Sequence, residues 1–133
     1  MSFYIETLLR NTSFDDAIEQ VTTELKKEGF GIITEIDMKA TFKKKLDVDF
    51  QPYKILGACN PNFAHSALQH NAYVGVFLPC NVVVKQNDDN TVEVFAVDPV
   101  ASMASVNDDE LNKMADEVKQ KLIKVIDGLF HLT

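Results

Sequence analysis

The sequence predicts an α+β domain with two layers, in which helices pack on one face of a mainly antiparallel sheet. Two observations predict this class. Segments of strand and helix character alternate along the chain, and hairpins of apolar β-type runs dominate its middle. Neither an internal repeat nor a Pro/Ser/Gly-rich linker divides the 133 residues, so we expect one α+β domain over residues 1–133.

The first elements are a strand, a helix and a second strand. β-forming residues in a partial alternation predict a strand over residues 3–8, before a polar turn. Ser13 is placed to cap a helix, and apolar residues recur at helical spacing until Gly29 ends it. The isoleucine-rich segment 30–36 has no helical period, which predicts a largely buried strand.

A short basic helix is predicted next. Met38, Phe42 and Leu46 recur at intervals of four and form a thin apolar stripe. The positions between them carry Lys39, Lys43, Lys44 and Lys45. This lysine cluster is interpreted first as a solvated helix face, and alternatively as a local anion site in an acidic protein.

The middle of the chain predicts strands around one short helix. Residues 53–58, 73–78, 82–85 and 91–97 are β-type runs separated by turn residues. Between the first two runs, Asn60 and Pro61 mark a helix start whose inner face carries Ala64, Ala67 and Leu68. The later runs predict an antiparallel hairpin.

The last helix is predicted to be the longest. Asn107 opens it, and Glu110 is the reach-back partner of a capping box. Its core stripe runs from Leu111 to Leu129, and Ile123, Ile126 and Phe130 make the apolar arc wider than one sheet face requires. We therefore expect a homodimer that buries this flank, the alternative being that the chain covers it itself.

Composition and charge exclude several function classes. With 46% hydrophobic and 25% charged residues the chain is typical of a globular protein, and its net charge of −7 opposes nucleic acid and anionic membranes. No apolar run approaches the length of about 20 residues that crosses a bilayer. The first ten residues do not resemble a secretion signal, and the chain has two cysteines. These features predict a cytoplasmic protein with reduced thiols.

The residues that could carry chemistry cluster in two Cys-Asn pairs and one histidine. They are the predicted ligand-binding residues Cys59, Asn60, His65, Cys80 and Asn81. Each cysteine lies at the boundary of a predicted strand, and His65 follows in the helix after Cys59. We expect Cys59, His65 and Cys80 to share a pocket, where they could bind a divalent metal such as Zn²⁺.

Two other interpretations of these cysteines stay open. Cys59 precedes a helix N-terminus, which favours a thiolate, so Cys59 is predicted to be more reactive than Cys80 in a thiol-dependent redox or detoxifying protein. Alternatively, both thiols are small buried hydrophobes and the asparagines are caps or turn residues. His70 and His131 are not expected to join His65, because His70 lies about 140° away around the helix and His131 is close to the terminus.

One segment resembles a known family. Its residues are Pro52-Tyr53-Lys54-Ile55-Leu56-Gly57-Ala58-Cys59-Asn60-Pro61, Ala64, Ala67-Leu68 and Leu78-Pro79-Cys80-Asn81-Val82. They resemble the central motif of the domain of unknown function 302 family of bacteria and archaea, and the likeness extends over about residues 35–97. The resemblance implies a small α+β sandwich, often dimeric, and assigns no reaction.

The expected function is therefore that of a small cytoplasmic protein that binds a metal ion or small ligand at the Cys59/His65/Cys80 pocket. The first alternative is the redox or detoxifying protein that uses Cys59 and Cys80. The second alternative is a non-catalytic interaction protein. No phosphate-binding glycine loop, G-x-S-x-G or H-E-x-x-H motif is present, which disfavours the common hydrolase and transferase classes.

Overall fold

The computed structural model describes residues 2–130, without the side chain of Phe130. The elements in chain order are β1 (Tyr4–Leu9), α1 (Phe14–Lys27), β2 (Gly31–Asp37), α2 (Met38–Leu46), β3 (Tyr53–Cys59), α3 (Pro61–His70), a 3₁₀ helix (Ala72–Phe77), β4 (Cys80–Gln86), β5 (Val92–Val97), α4 (Pro99–Ser102) and α5 (Asp109–Phe130). The strands form a five-stranded sheet in the order β1-β5-β4-β3-β2, and every neighbouring pair is antiparallel. The predicted α+β class is confirmed.

The core lies between one face of the sheet and the helices α1 and α5. Alternate residues of β5, Val92, Val94 and Ala96, are buried there, because successive side chains of a strand point to opposite faces. The helices contribute buried residues at helical spacing, such as Val21 and Leu25. Burial of each large apolar side chain contributes about 1.5–3 kcal/mol, so this layer contact is the main source of stability.

Helix α1 begins and ends where the sequence predicts. The Ser13 hydroxyl accepts a hydrogen bond from the Asp16 backbone N–H at 3.1 Å, which satisfies one of the free donors of the first turn. After the helix, Gly29 adopts a φ of 85°, a conformation that costs glycine little. The chain therefore turns at once into β2.

The predicted strand over residues 73–78 is wrong, because most of this segment is the 3₁₀ helix. The Asn71 side chain accepts a hydrogen bond from the Tyr73 backbone N–H at 2.9 Å and starts a turn. Tyr73 and Val76 are 85% and 82% exposed, so the apolar run is not a buried strand. The hairpin partner of β5 begins only at Cys80.

The start of the last helix differs by one residue from the prediction. Asp108, and not Asn107, accepts a hydrogen bond from a backbone N–H of the first turn, that of Leu111 at 3.0 Å. The short helix α4 before it was not predicted from the sequence; the Asp98 carboxylate caps it at the backbone N–H groups of Val100 and Ala101. Carboxylates suit these positions because the helix N-terminus carries partial positive charge.

The apolar flank of α5 is largely an internal surface. Ile126 is 2% exposed and belongs to the core cluster, and Ile123 is half-buried. The predicted dimer surface on this flank is thus wrong at Ile126, because the chain's own layers cover that residue. The Phe130 side chain and His131 lie outside the described residues. Of the helices described, none is long and apolar enough to span a membrane.

Gly57 fixes the packing of three strands. A Cβ atom at Gly57 would meet the Thr34 hydroxyl of β2 and lie 2.7 Å from Pro79 Cγ, just before β4. We expect Gly57→Ala to lower the free energy of unfolding by about 1–3 kcal/mol, since overpacking forces neighbours apart. Urea unfolding followed by circular dichroism measures the change.

Gly31→Ala is the matched control for this prediction. Gly31 is also in a strand of the same sheet, but a Cβ there meets nothing within 4 Å. An equal loss of stability in both variants would show that backbone freedom, and not the contact with Thr34 and Pro79, accounts for the effect.

Candidate functional site

A cavity of about 310 Å³ lies at one end of the sheet, where β3 ends and β4 begins. Helix α3, the 3₁₀ helix and the first half of α5 surround it. Its walls are apolar side chains, chiefly Phe63, Ala64, Ala67, Leu68, Phe77, Leu78, Pro79, Pro99, Met103, Leu111, Met114, Ala115 and Val118. Helix α3 lies there because residues 60–79 connect the end of β3 to the start of β4 at the same end of the sheet.

Both cysteines line this cavity. Cys59 is the last residue of β3 and Cys80 the first of β4, and the register pairs Cys80 with Ala58, the residue before Cys59. Burial, and to a smaller extent the neighbouring Cys59 thiol, raise the pKa of Cys80 to about 11. Cys80 is therefore a neutral thiol at physiological pH and packs against the core as a small apolar side chain.

The asparagines of the two Cys-Asn pairs have different environments. Asn60 lines the cavity, and its side-chain amide donates a hydrogen bond to the Glu28 carbonyl oxygen at 3.3 Å. Although it occupies the N-cap position of α3, its side chain makes no capping hydrogen bond. Asn81 is exposed and does not line the cavity. Asn60 thus ties the start of α3 to the turn after α1.

The structure places His65 outside the cavity that the two thiols line. His65 is exposed on α3 and is not among the residues that line the cavity. It lies about 100° around the helix from Ala64, which faces the cavity. Within residues 2–130, no three His, Cys, Asp or Glu side chains come close enough to hold a metal ion. The predicted metal set Cys59, His65 and Cys80 is therefore not assembled.

His70 and Asp108 join the two helices that flank the cavity. His70 Nε2 and Asp108 Oδ2 lie 2.8 Å apart and link the end of α3 to the start of α5. The hydrogen bond from the Leu111 N–H, followed by that from His70, lowers the pKa of Asp108. Asp108 directly follows the residue predicted to open the last helix, but its contact with His70, 38 residues away, has no local signal.

The sequence predicts the apolar residues of the cavity wall only as core residues. Leu111, Met114, Ala115 and Val118 belong to the core stripe predicted for the last helix, and Ala64, Ala67 and Leu68 to the inner face predicted for α3. In the structure these two stripes face each other across the cavity. Periodicity identifies the inward side of a helix but not whether the space it faces is filled.

The fold and site define a class: α+β proteins with a five-stranded antiparallel sheet and an apolar cavity of ligand size at one end of it. A family model described as "Domain of unknown function DUF302" matches residues 5–129. The chain belongs to the DUF302 family. No curated protein matches it.

A solved structure supports the same assignment. It is the crystal structure of an uncharacterized conserved protein DUF302 from Bacillus stearothermophilus, which is 30% identical to this chain. The match has a TM-score of 0.89 and covers 97% of this chain and 99% of that chain. The two proteins therefore share the whole architecture described above.

The lowered pKa of Asp108 predicts a pH dependence. A carboxyl group whose folded-state pKa lies below its unfolded value, about 3.9, stabilises the fold above that value and loses this contribution as the pH falls through the folded pKa. We expect Asp108→Asn to be less stable than the unmodified protein at neutral pH, because it lacks the charged acceptor for His70. The difference should shrink below about pH 4.

Urea unfolding at a series of pH values measures this difference. Asp109→Asn is the matched control, since Asp109 is exposed in the same helix turn. A gap between Asp108→Asn and the unmodified protein that stays constant down to about pH 2 would contradict the linkage.

Proposed function

We propose that this protein binds a small, uncharged and mainly apolar molecule in the cavity between α3 and α5. The observation that carries the proposal is the cavity itself, about 310 Å³ in volume with apolar walls. Pockets that bind small molecules have volumes of about 300–1,000 Å³ and mostly hydrophobic linings, so this one suits a compact ligand.

The lining restricts the charge of the ligand. Among the described residues that line the cavity, none is Asp, Glu, Lys, Arg or His. An ion moved into such surroundings loses its hydration without gaining a counterion, which costs several kcal/mol. The polar groups of the wall are the Asn60 amide, the Ser102 hydroxyl and the two thiols. They favour a neutral ligand with a single hydrogen-bonding group.

The lining also restricts the shape of the ligand only loosely. Met103 and Met114 contribute flexible, polarizable side chains to the lining. Helix α3 has no buried residue, and the His70–Asp108 pair links its end to the start of α5. Both features suit a binding protein that accepts related apolar molecules, planar or branched, instead of one exact substrate.

Probe binding tests this proposal. We expect N-phenyl-1-naphthylamine, a neutral fluorescent probe of apolar sites, to bind one site per chain. Ala67→Phe places a ring inside the cavity and should weaken binding at least tenfold, about 1.4 kcal/mol. Fluorescence titration gives the dissociation constants, and circular dichroism checks the fold.

Ser66→Phe is the matched control, because Ser66 is exposed on the same helix and is not part of the lining. It should leave the affinity unchanged. A probe carrying a sulfonate should bind more weakly than the neutral one. Equal weakening by both phenylalanine variants, or tighter binding of the sulfonate, would contradict the proposal.

A second candidate function uses the thiols of Cys59 and Cys80. Their shared position on the cavity wall favours it, and both are free cysteines, which suits the proposed cytoplasmic location. The raised pKa of Cys80 keeps its proton in place at neutral pH. Cys59, which lies directly before the N-terminus of α3, is then the sulfur that reacts first.

The relative reactivity of the thiols can be measured directly. We expect Cys80→Ser to be alkylated by iodoacetamide at the rate of the unmodified protein, and Cys59→Ser at least tenfold more slowly at neutral pH. Mass spectrometry follows the reaction, and the rate for Cys59→Ser should rise as the pH approaches about 11. Faster alkylation of Cys80 than of Cys59 in the folded protein would exclude this candidate.

A further inference from the structure

One long stretch of the chain carries no charged side chain. Residues 55–84 contain no Asp, Glu, Lys or Arg, although 25% of the whole chain is charged. This stretch includes α3 and the 3₁₀ helix, which form one side of the cavity. The net charge of −7 therefore comes entirely from the rest of the chain.

The 3₁₀ helix carries an exposed apolar ridge. In a 3₁₀ helix, side chains three residues apart lie on the same face. Tyr73 and Val76 have this spacing and are 85% and 82% exposed. Val74, a third of a turn away from Tyr73, is only 3% exposed. The packing that buries Val74 thus turns Tyr73 and Val76 outward.

The ridge adjoins the mouth of the cavity. Leu68 and Ile33 line the cavity and are 41% and 62% exposed, so they mark its opening. The pairing of β2 with β3 shifts its register at Ile33, which leaves this residue free to point into the mouth. A Cβ atom at Gly75, within the ridge, would lie 3.7 Å from Leu68 Cδ2. We call the joined surface of Ile33, Leu68, Tyr73 and Val76 the apolar rim.

We propose that the apolar rim docks on a neutral, zwitterionic lipid surface, with the mouth of the cavity against the lipid. Exposed apolar patches mark interaction sites, and two features of this one favour lipid. Its aromatic member is a tyrosine, a residue type enriched at the boundary between lipid and water. The segment that carries α3 and the ridge also has no charged side chain that would have to leave water on docking.

The charges of the protein select among lipids. The net charge of −7 repels an anionic surface. Where α3 ends, the carboxylate of Asp108 is paired with His70 and is not available to bind a cationic headgroup. The lysines of α2 lie on a helix that contacts β3 and contributes nothing to the cavity lining. Docking through the rim is therefore an apolar contact, which salt does not screen.

Docking in this orientation supplies the cavity with its ligand. Apolar molecules collect in lipid, and the cavity opens where the rim meets the lipid, so a ligand passes between the two without crossing water. This exchange rests on the proposed binding function, whereas the docking itself does not.

A single tryptophan reports on the docking. The chain contains no tryptophan, so Tyr73→Trp introduces one fluorescent ring at the rim with little change in chemistry. Vesicles of phosphatidylcholine should shift its emission to shorter wavelength, because the ring leaves water. Tyr4→Trp is the matched control, since Tyr4 is 40% exposed on β1 and is not part of the cavity lining. Its emission should stay unchanged.

Co-sedimentation of the whole chain with the same vesicles measures the affinity. Tyr73→Asp and Val76→Asp should each lower the partition coefficient at least tenfold with an unchanged circular dichroism spectrum, because both side chains are exposed. Val48→Asp makes the same change at a residue that is 48% exposed in the loop after α2, and it should have no effect. Added salt should not weaken the binding of the unmodified protein.

Three results would overturn the proposal. The first is an unshifted emission of Tyr73→Trp. The second is binding that requires anionic lipid and is lost in salt, which would assign it to the lysines of α2. The third is a lower mass of Val76→Asp in ultracentrifugation without vesicle binding of the unmodified protein, which would show that a second copy covers the rim.

The titration with N-phenyl-1-naphthylamine, made without vesicles, separates this proposal from the proposed function. Retained binding of the probe by a protein that does not bind vesicles overturns the docking alone. Vesicle binding by a protein that does not bind the probe supports the docking and contradicts the proposed function alone.

Discussion

The close contact of β2, β3 and β4 at Gly57 is the constraint on which the cavity depends. A side chain at this position has no room, because the side chains of Thr34 and Pro79 occupy the space over Gly57. The register beyond this point pairs Ala58 with Cys80 and brings the two cysteines to one edge of the sheet. The chain leaves the sheet after Cys59 and returns at Cys80, and the segment between them forms α3 and the 3₁₀ helix. The cavity is the space between this segment and α5.

A buried acid completes the opposite wall. Asp98 is 6% exposed, yet its carboxylate accepts hydrogen bonds from the N–H groups of Val100 and Ala101 and lies 3.0 Å from Lys119 Nζ on α5. A buried carboxylate is tolerated only when its oxygens accept hydrogen bonds or contact a positive charge. Here the contacts of Asp98 also position α4 and α5, which both contribute to the cavity wall. The capped helix α4 carries Pro99 and Met103 to the cavity, while Lys119 connects it to α5. The same group thus caps α4 and links it to α5.

Periodic segments were predictable from the sequence, and contacts between distant residues were not. Helices α1 and α5 follow apolar spacing and capping residues, which are local signals, and the structure confirms both. The segment 72–77 has the composition of a strand, but the Asn71 turn and the exposed Tyr73 show that composition alone misassigns it. For the site, the sequence indicated the two thiols that line the cavity and also His65, which is not part of the lining. Sequence proximity placed His65 near the cysteines, whereas helical phase, which the same sequence contains, separates them.

The sequences of the strands also indicate burial on both faces of the sheet, which the periodicity of the helices does not show. A sheet with one buried and one solvated face alternates apolar and polar residues, but β4 carries Val82, Val83 and Val84 in succession, and β3 carries Ile55 beside Leu56. Continuous apolar runs are typical of strands covered on both faces. Helices α1 and α5 cover one face of the sheet. Ile126, part of the apolar arc of α5 that predicted a dimer, is buried in this layer. The other face of the sheet carries Phe95, Ile55 and Ile36, and Ile36 is 45% exposed. The cavity and this face of the sheet are separate, since none of Phe95, Ile55 and Ile36 lines the cavity.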